Sequence, residues 1–99
     1  MKTHIIPVAL TLLALTNQPV AAKGTLAEAT RGKFLMGVAI NTRQVNGDRP
    51  VETQQIQTEF STIVAENCMK PGPIHPEENR YFWDDADRLV AFGEKNKQV

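Results

Sequence analysis

The chain of 99 residues predicts an α/β fold built from parallel strands, on three observations. Two short apolar runs, residues 33–41 (K-F-L-M-G-V-A-I-N) and the segment opening at Ile63, read as strands covered on both faces. They alternate with helix-compatible stretches in the order strand, loop, helix, strand, loop, helix, which means parallel pairing through right-handed crossovers. The second run, I-V-A, breaks off into E-N-C-M-K, as a barrel strand does at the rim where such folds display their chemistry.

Residues 1–22 stand apart from this pattern. Lys2 supplies a positive start, residues 5–15 an apolar core, and Val20-Ala21-Ala22 a small-residue site for cleavage before Lys23, so the segment reads as a signal peptide. The apolar core is shorter than the roughly 20 residues needed to cross a bilayer. The mature protein is expected to be secreted or periplasmic, with no membrane attachment after cleavage. Eleven basic and eleven acidic residues leave no net charge, which argues against a nucleic-acid partner or a polybasic membrane patch. Cys68 is the one cysteine, so no internal disulfide can form, and neither His4 nor His75 makes a zinc spacing with it. No metal or other cofactor is expected.

After residue 22, Thr25 is an N-cap with Glu28 three residues on, predicting a short surface helix that ends near Arg31. Residues 33–41 form the first strand. Residues 42–50 hold Asn46-Gly47 and a proline and are expected to be a loop with a turn. Residues 51–60 make a helix with a narrow apolar stripe through Val51, Ile56 and Phe60, and the second strand follows from Ile63. P-G-P-I-H-P, with three prolines in six residues, is expected to be neither helix nor central strand but a rigid loop over the rim. Tyr81, Phe82 and Trp83 then form an aromatic cluster, either packing against the barrel wall or lining a surface for sugars. Asp84 or Asp85 is a ready N-cap for the last helix, whose buried side is read as Ala86, Leu89, Val90, Phe92 and Gly93. Val99 is expected to open a third strand. Two strands alone do not close a sheet, so the pattern points to part of something larger.

The candidate site residues are Glu66, Asn67 and Lys70 at the end of the second strand. Glu66 and Asn67 are adjacent and should point to opposite faces, while Lys70 lies beyond the strand, where a bend could bring it back toward them. A carboxylate accepts from hydroxyls, a carboxamide donates and accepts, and an ammonium donates. On spacing alone, a solvated strand end is the favoured reading of the three. Cys68 reads as a small core residue.

E-N-C-M-K-P-G-P-I-H-P-E-E-N-R-Y, with D-A-D-R-L-V-A-F-G-E-K-N behind it and F-L-M-G-V-A-I-N before it, resembles the N-terminal quarter of glycoside hydrolase family 10, the endo-1,4-β-xylanases, and most of all the Bacteroides type. The resemblance covers residues 33–96, and its most specific part is the E-N-x-M-K signature of the second strand. It implies a (β/α)8 TIM barrel, of which the first two βα units are present here, in residues 23–99. It also implies hydrolysis of internal β-1,4 bonds of xylan with retention of configuration. Family members use two glutamates for this, an acid/base at the end of strand four and a nucleophile at the end of strand seven, set about 5 Å apart. Both would lie after Val99, so no catalytic residue is expected in this chain, and the 99 residues alone are expected to be inactive and to fold poorly.

The same resemblance implies that Glu66, Asn67 and Lys70 bind sugar hydroxyls on the glycone side. The partner would be xylan or a xylo-oligosaccharide, and the full-length enzyme is expected to be a monomer. Most family members have Trp and Glu straight after the lysine, where Pro71 and Gly72 stand here, a departure that bears on the distal glycone subsites alone. Two other readings stay open: a non-catalytic secreted carbohydrate-binding fragment, and a related barrel enzyme acting on β-1,4-glucan.

Overall fold

The computed structural model describes residues 24–99, so the expected signal peptide lies outside the described residues. Two four-residue strands, β1 (Gly37–Ile40) and β2 (Thr62–Ala65), pair in parallel, with Gly37 opposite Thr62 and Ile40 opposite Ala65. Between them run α2 (Thr42–Val45) and α3 (Pro50–Glu59); α1 (Leu26–Thr30) precedes β1, and α4 (Pro71–Ile74) and α5 (Asp84–Lys95) follow β2. The predicted order of strands and main helices holds.

Helix α1 forms where its capping box predicts, with the Thr25 hydroxyl and the Glu28 carboxylate each accepting from the other's backbone N–H. The first strand is shorter than the apolar run. Lys33 and Phe34 instead donate to the Thr30 carbonyl and finish the turn after α1, while Met36 accepts from Ser61 and Thr62. Residues 42–45, expected as loop, are a helical turn, because Asn41 and Gln44 make a second capping box that the turn signal at Asn46-Gly47 overshadowed.

P-G-P-I is likewise a helical turn, α4, and not the non-helical loop expected. Its two prolines sit at the first and third positions, where the backbone nitrogens of a helix have no intrahelical partner to lose. Helix α5 begins at the expected place, but Trp83 rather than an aspartate occupies its N-cap position, without a side-chain cap.

The core lies between the sheet and the helices that cover one of its faces. Ile40 is fully buried, and Ile56 of α3, Ile63 of β2, Cys68 and Leu89 of α5 pack with it. Cys68 is thus a core residue, as read. Gly93, also buried, lets α5 approach β2 closely: a Cβ there would stand 3.2 Å from Ile63 Cδ1. Val90, placed on the buried side of α5 by its spacing, is instead half exposed at the edge beyond β2. Past α5 the Gln98 amide donates to the carbonyls of Ile56 and Phe60, tying the end of α3 to the end of the chain. Val99 then runs alongside β2, donating to Ser61 O and accepting from Ile63 N, the pairing expected of a third strand.

Both strands were read as covered on both faces, and here one face is covered. Val38, Ile40, Ile63 and Ala65 point toward the helices, while Gly37, Ala39 and Val64 are exposed on the other side. The sequence pattern records the environment a strand is made for; coverage also depends on which elements lie opposite, and none of the described ones lies there.

Candidate sugar-binding site

In a parallel pair the residues that follow the two strands emerge side by side at the same rim. One step past the pairing of Ile40 with Ala65 stand Asn41 and Glu66, and the Glu66 backbone N–H donates to Ile40 O at 2.9 Å, carrying the ladder past the last strand residue. The side chains meet as well, Asn41 Nδ2 donating to Glu66 Oε2 at 3.1 Å. The Asn41 oxygen is committed to the first turn of α2, accepting from the backbone of Arg43 and Gln44. Helix capping therefore fixes the amide so that its N–H points at the Glu66 carboxylate.

The second pair comes from the turn after β2. Lys70 N donates to Asn67 O at 2.9 Å, closing a turn that brings the Lys70 ammonium back onto Asn67 Oδ1, also at 2.9 Å. This is the bend that the sequence required for Lys70 to rejoin the strand end. The Asn67 oxygen accepts from the ammonium, so the carboxamide offers a ligand its two N–H groups and one further acceptor position.

Glu66, Asn67 and Lys70 are all exposed. Of the three, Asn67 and Lys70 bond to one another directly, whereas Glu66 is held through Asn41. Asn41 was read only as the boundary of the first strand. No local signal in the sequence pointed to it, since its place beside Glu66 follows from the register in which β1 and β2 pair. Asn41, Asn67 and Pro73 line one shallow cleft together with Thr42, Cys68 and Asp85. Beneath it the Cys68 thiol is pushed up from its ordinary pKa by burial and, secondarily, by the Asp85 carboxylate, which keeps it protonated and unreactive near neutral pH.

The rim thus presents one carboxylate, two carboxamides and one ammonium, each oriented by a neighbour. Such a set suits a neutral ligand rich in hydroxyls, which needs donors and acceptors in alternation. Among the described residues no group of three or more His, Cys, Asp or Glu side chains is placed to hold a metal ion. None of the described helices is long and apolar enough to cross a membrane.

Residues 25–99 match the sequence profile of Glycosyl hydrolase family 10. The chain belongs to that family.

Relatives agree. Endo-1,4-beta-xylanase A of Xylanibacter ruminicola is 42% identical over 91 residues, covering 88% of this chain and 25% of that protein. The thermostable celloxylanase of Thermoclostridium stercorarium is 38% identical over 72 residues, covering 73% of this chain and 18% of its own length. Among solved structures, the intracellular xylanase of Thermoanaerobacterium saccharolyticum, a mutant in complex with xylotetraose, superposes with a TM-score of 0.70 at 29% identity, over 76% of this chain and 23% of that one. The chain therefore spans about a quarter or less of the length of the relatives it matches. Its two βα units are those of the family 10 (β/α)8 barrel, as the resemblance implied.

Proposed function

We propose that this chain is the N-terminal part of an endo-1,4-β-xylanase and supplies part of its glycone subsites. In this reading Glu66, Asn67 and Lys70, with Asn41, bind hydroxyls of the xylan chain. The observation that carries it is the pair of oriented contacts at one rim, Asn41 to Glu66 and Lys70 to Asn67, in a family 10 chain.

Each side chain has a role that follows from its bonds. Glu66 uses one oxygen toward Asn41 and has its other for a sugar hydroxyl. Asn67, with its oxygen held by Lys70, donates through nitrogen, and the Lys70 ammonium keeps two further N–H groups for acceptors. Because Asn41 and Asn67 are pre-oriented, little conformational entropy is lost when the sugar arrives. Retaining hydrolysis needs a nucleophile and an acid/base about 5 Å apart across the scissile bond. Glu66 is here an acceptor of hydrogen bonds and not one of that pair. The chemistry belongs to two further glutamates of the complete barrel, and the 99 residues alone are expected to hydrolyse nothing. Residues 1–22 would direct the enzyme out of the cytoplasm as a cleaved signal peptide.

The test is Asn67→Ala in the enzyme that carries this chain. If the Asn67 bond tightens in the transition state, kcat/KM on xylo-oligosaccharides falls by about 2 kcal/mol, roughly thirtyfold. An unchanged value removes Asn67 from the subsite. Running the series on cello-oligosaccharides as well distinguishes a xylanase from a β-1,4-glucanase built on the same barrel.

A further inference from the structure

The segment after Lys70 carries three rings that lie outside the core of the described residues. His75 and Tyr81 stack with their centroids 4.3 Å apart and planes within 5°, and Tyr81 and Trp83 lie parallel within 2° at 6.0 Å. Tyr81 is 59% and Trp83 51% exposed, and neither belongs to the core of the described residues. At 6.0 Å two parallel rings cannot lie squarely in contact, so part of each face stays open.

The backbone holds the rings in place. Phe82 N donates to Ile74 O at 2.8 Å, joining the strand-like stretch before α5 to the end of α4, while Glu77 and Arg80 bridge the intervening turn through backbone and side chains. Asn79 takes the left-handed conformation that this tight reversal demands, at φ 60. The result is a row of aromatic faces already ordered before any ligand binds. Its supporting segment also forms part of the rim, since Pro73 lines the same cleft as Asn41 and Asn67.

We propose that Trp83, in the row it forms with Tyr81 and His75, is a stacking platform for distal xylose units of the chain whose nearer units are held at Glu66, Asn67 and Lys70. The proposal rests on the xylan reading of that rim. A xylopyranose with equatorial hydroxyls shows an apolar C–H face above and below its ring. The face of an indole removes it from water without needing a hydrogen-bond partner, while the hydroxyls at the sugar's edge stay solvated. Solvent-exposed, parallel, pre-ordered rings beside a polar rim fit a polymer that continues past that rim.

Calorimetric titration of the protein, made in its natural reading frame, with xylohexaose and xylotriose tests this. Trp83→Ala should weaken xylohexaose binding about tenfold and leave xylotriose within about twofold, with Trp83→Phe restoring most of the loss. Equal losses on both sugars, or none on xylohexaose, overturn the platform. If the unaltered protein binds neither sugar, the xylan reading itself falls and takes the platform with it. If both sugars bind, Asn67→Ala weakens both and Trp83→Ala changes nothing, the platform alone is wrong.

Discussion

The two faces of the β1–β2 pair are built from similar residues and meet different surroundings. Toward the helices stand Val38, Ile40, Ile63 and Ala65, packed with Ile56 and Leu89; on the other side stand Gly37, Ala39, Thr62 and Val64, with Val64 58% exposed. Each four-residue strand thus turns one side to a finished core and the other to an uncovered, largely apolar surface. In a (β/α)8 barrel the second face is the interior, filled by side chains from the other strands. The difference shows that the helix-facing layer is assembled by local βα units, whereas the interior layer has to be contributed by strands distant in sequence.

If that division is right, truncating the two faces should have unequal consequences. In the enzyme that carries this chain, Ile40→Ala, which empties a fully buried position, is expected to cost about 3 kcal/mol of stability by urea denaturation, and Val64→Ala, whose cover comes from other strands, about 1 kcal/mol. Equal costs would mean that the two layers are equally tightly packed.

The open face is nonetheless crowded at one point, and a second substitution sharpens the comparison there. A Cβ on Gly37 would stand 2.7 Å from Thr62 Cγ2, and the Thr62 side chain is held in place by the hydrogen bond from its hydroxyl to Val99 O. Gly37→Ala is expected to cost about 2 kcal/mol, with most of it recovered when Thr62 is also changed to Ser, which removes the obstructing methyl. Strict additivity in that double-mutant cycle would show that the two positions do not press on one another.

The smallest effect concerns the covered side. Cys68 lies in the core with its pKa raised above the ordinary 9.0 by desolvation first and by Asp85 second. A raised folded-state pKa leaves stability untouched while the thiol is neutral in both states and removes it as pH climbs above the unfolded value. The thermal midpoint should therefore decline above about pH 9, and less steeply in Cys68→Ala than in the parent. An identical alkaline slope in both would place the titration elsewhere.

Much of this architecture was legible along the chain. Apolar runs of strand length between amphipathic segments gave the parallel α/β class, and the capping box at Thr25 and Glu28 located α1. The position of Glu66, Asn67 and Lys70 just past an apolar run placed them at a rim, and the lysine's return to Asn67 needed only the turn that the structure contains. These features depend on residues within a few positions of one another, where side-chain periodicity and capping chemistry act directly.

Other features depend on contacts between segments distant in sequence. The partnership of Asn41 with Glu66, 25 residues away, exists because β1 and β2 pair in one particular register. The prolines of α4 break a helix in its interior but not in its first turn, and their place in the turn emerges only once the chain bends at the rim. The aromatic residues at 81–83 were read first as a packing cluster and second as a sugar-facing surface; among the described residues Phe82 bonds to Ile74 through the backbone while Tyr81 and Trp83 are open to solvent. Local sequence sets which conformations a segment prefers, but which surface it covers is settled by what lies across from it, and that is a property of the assembled fold.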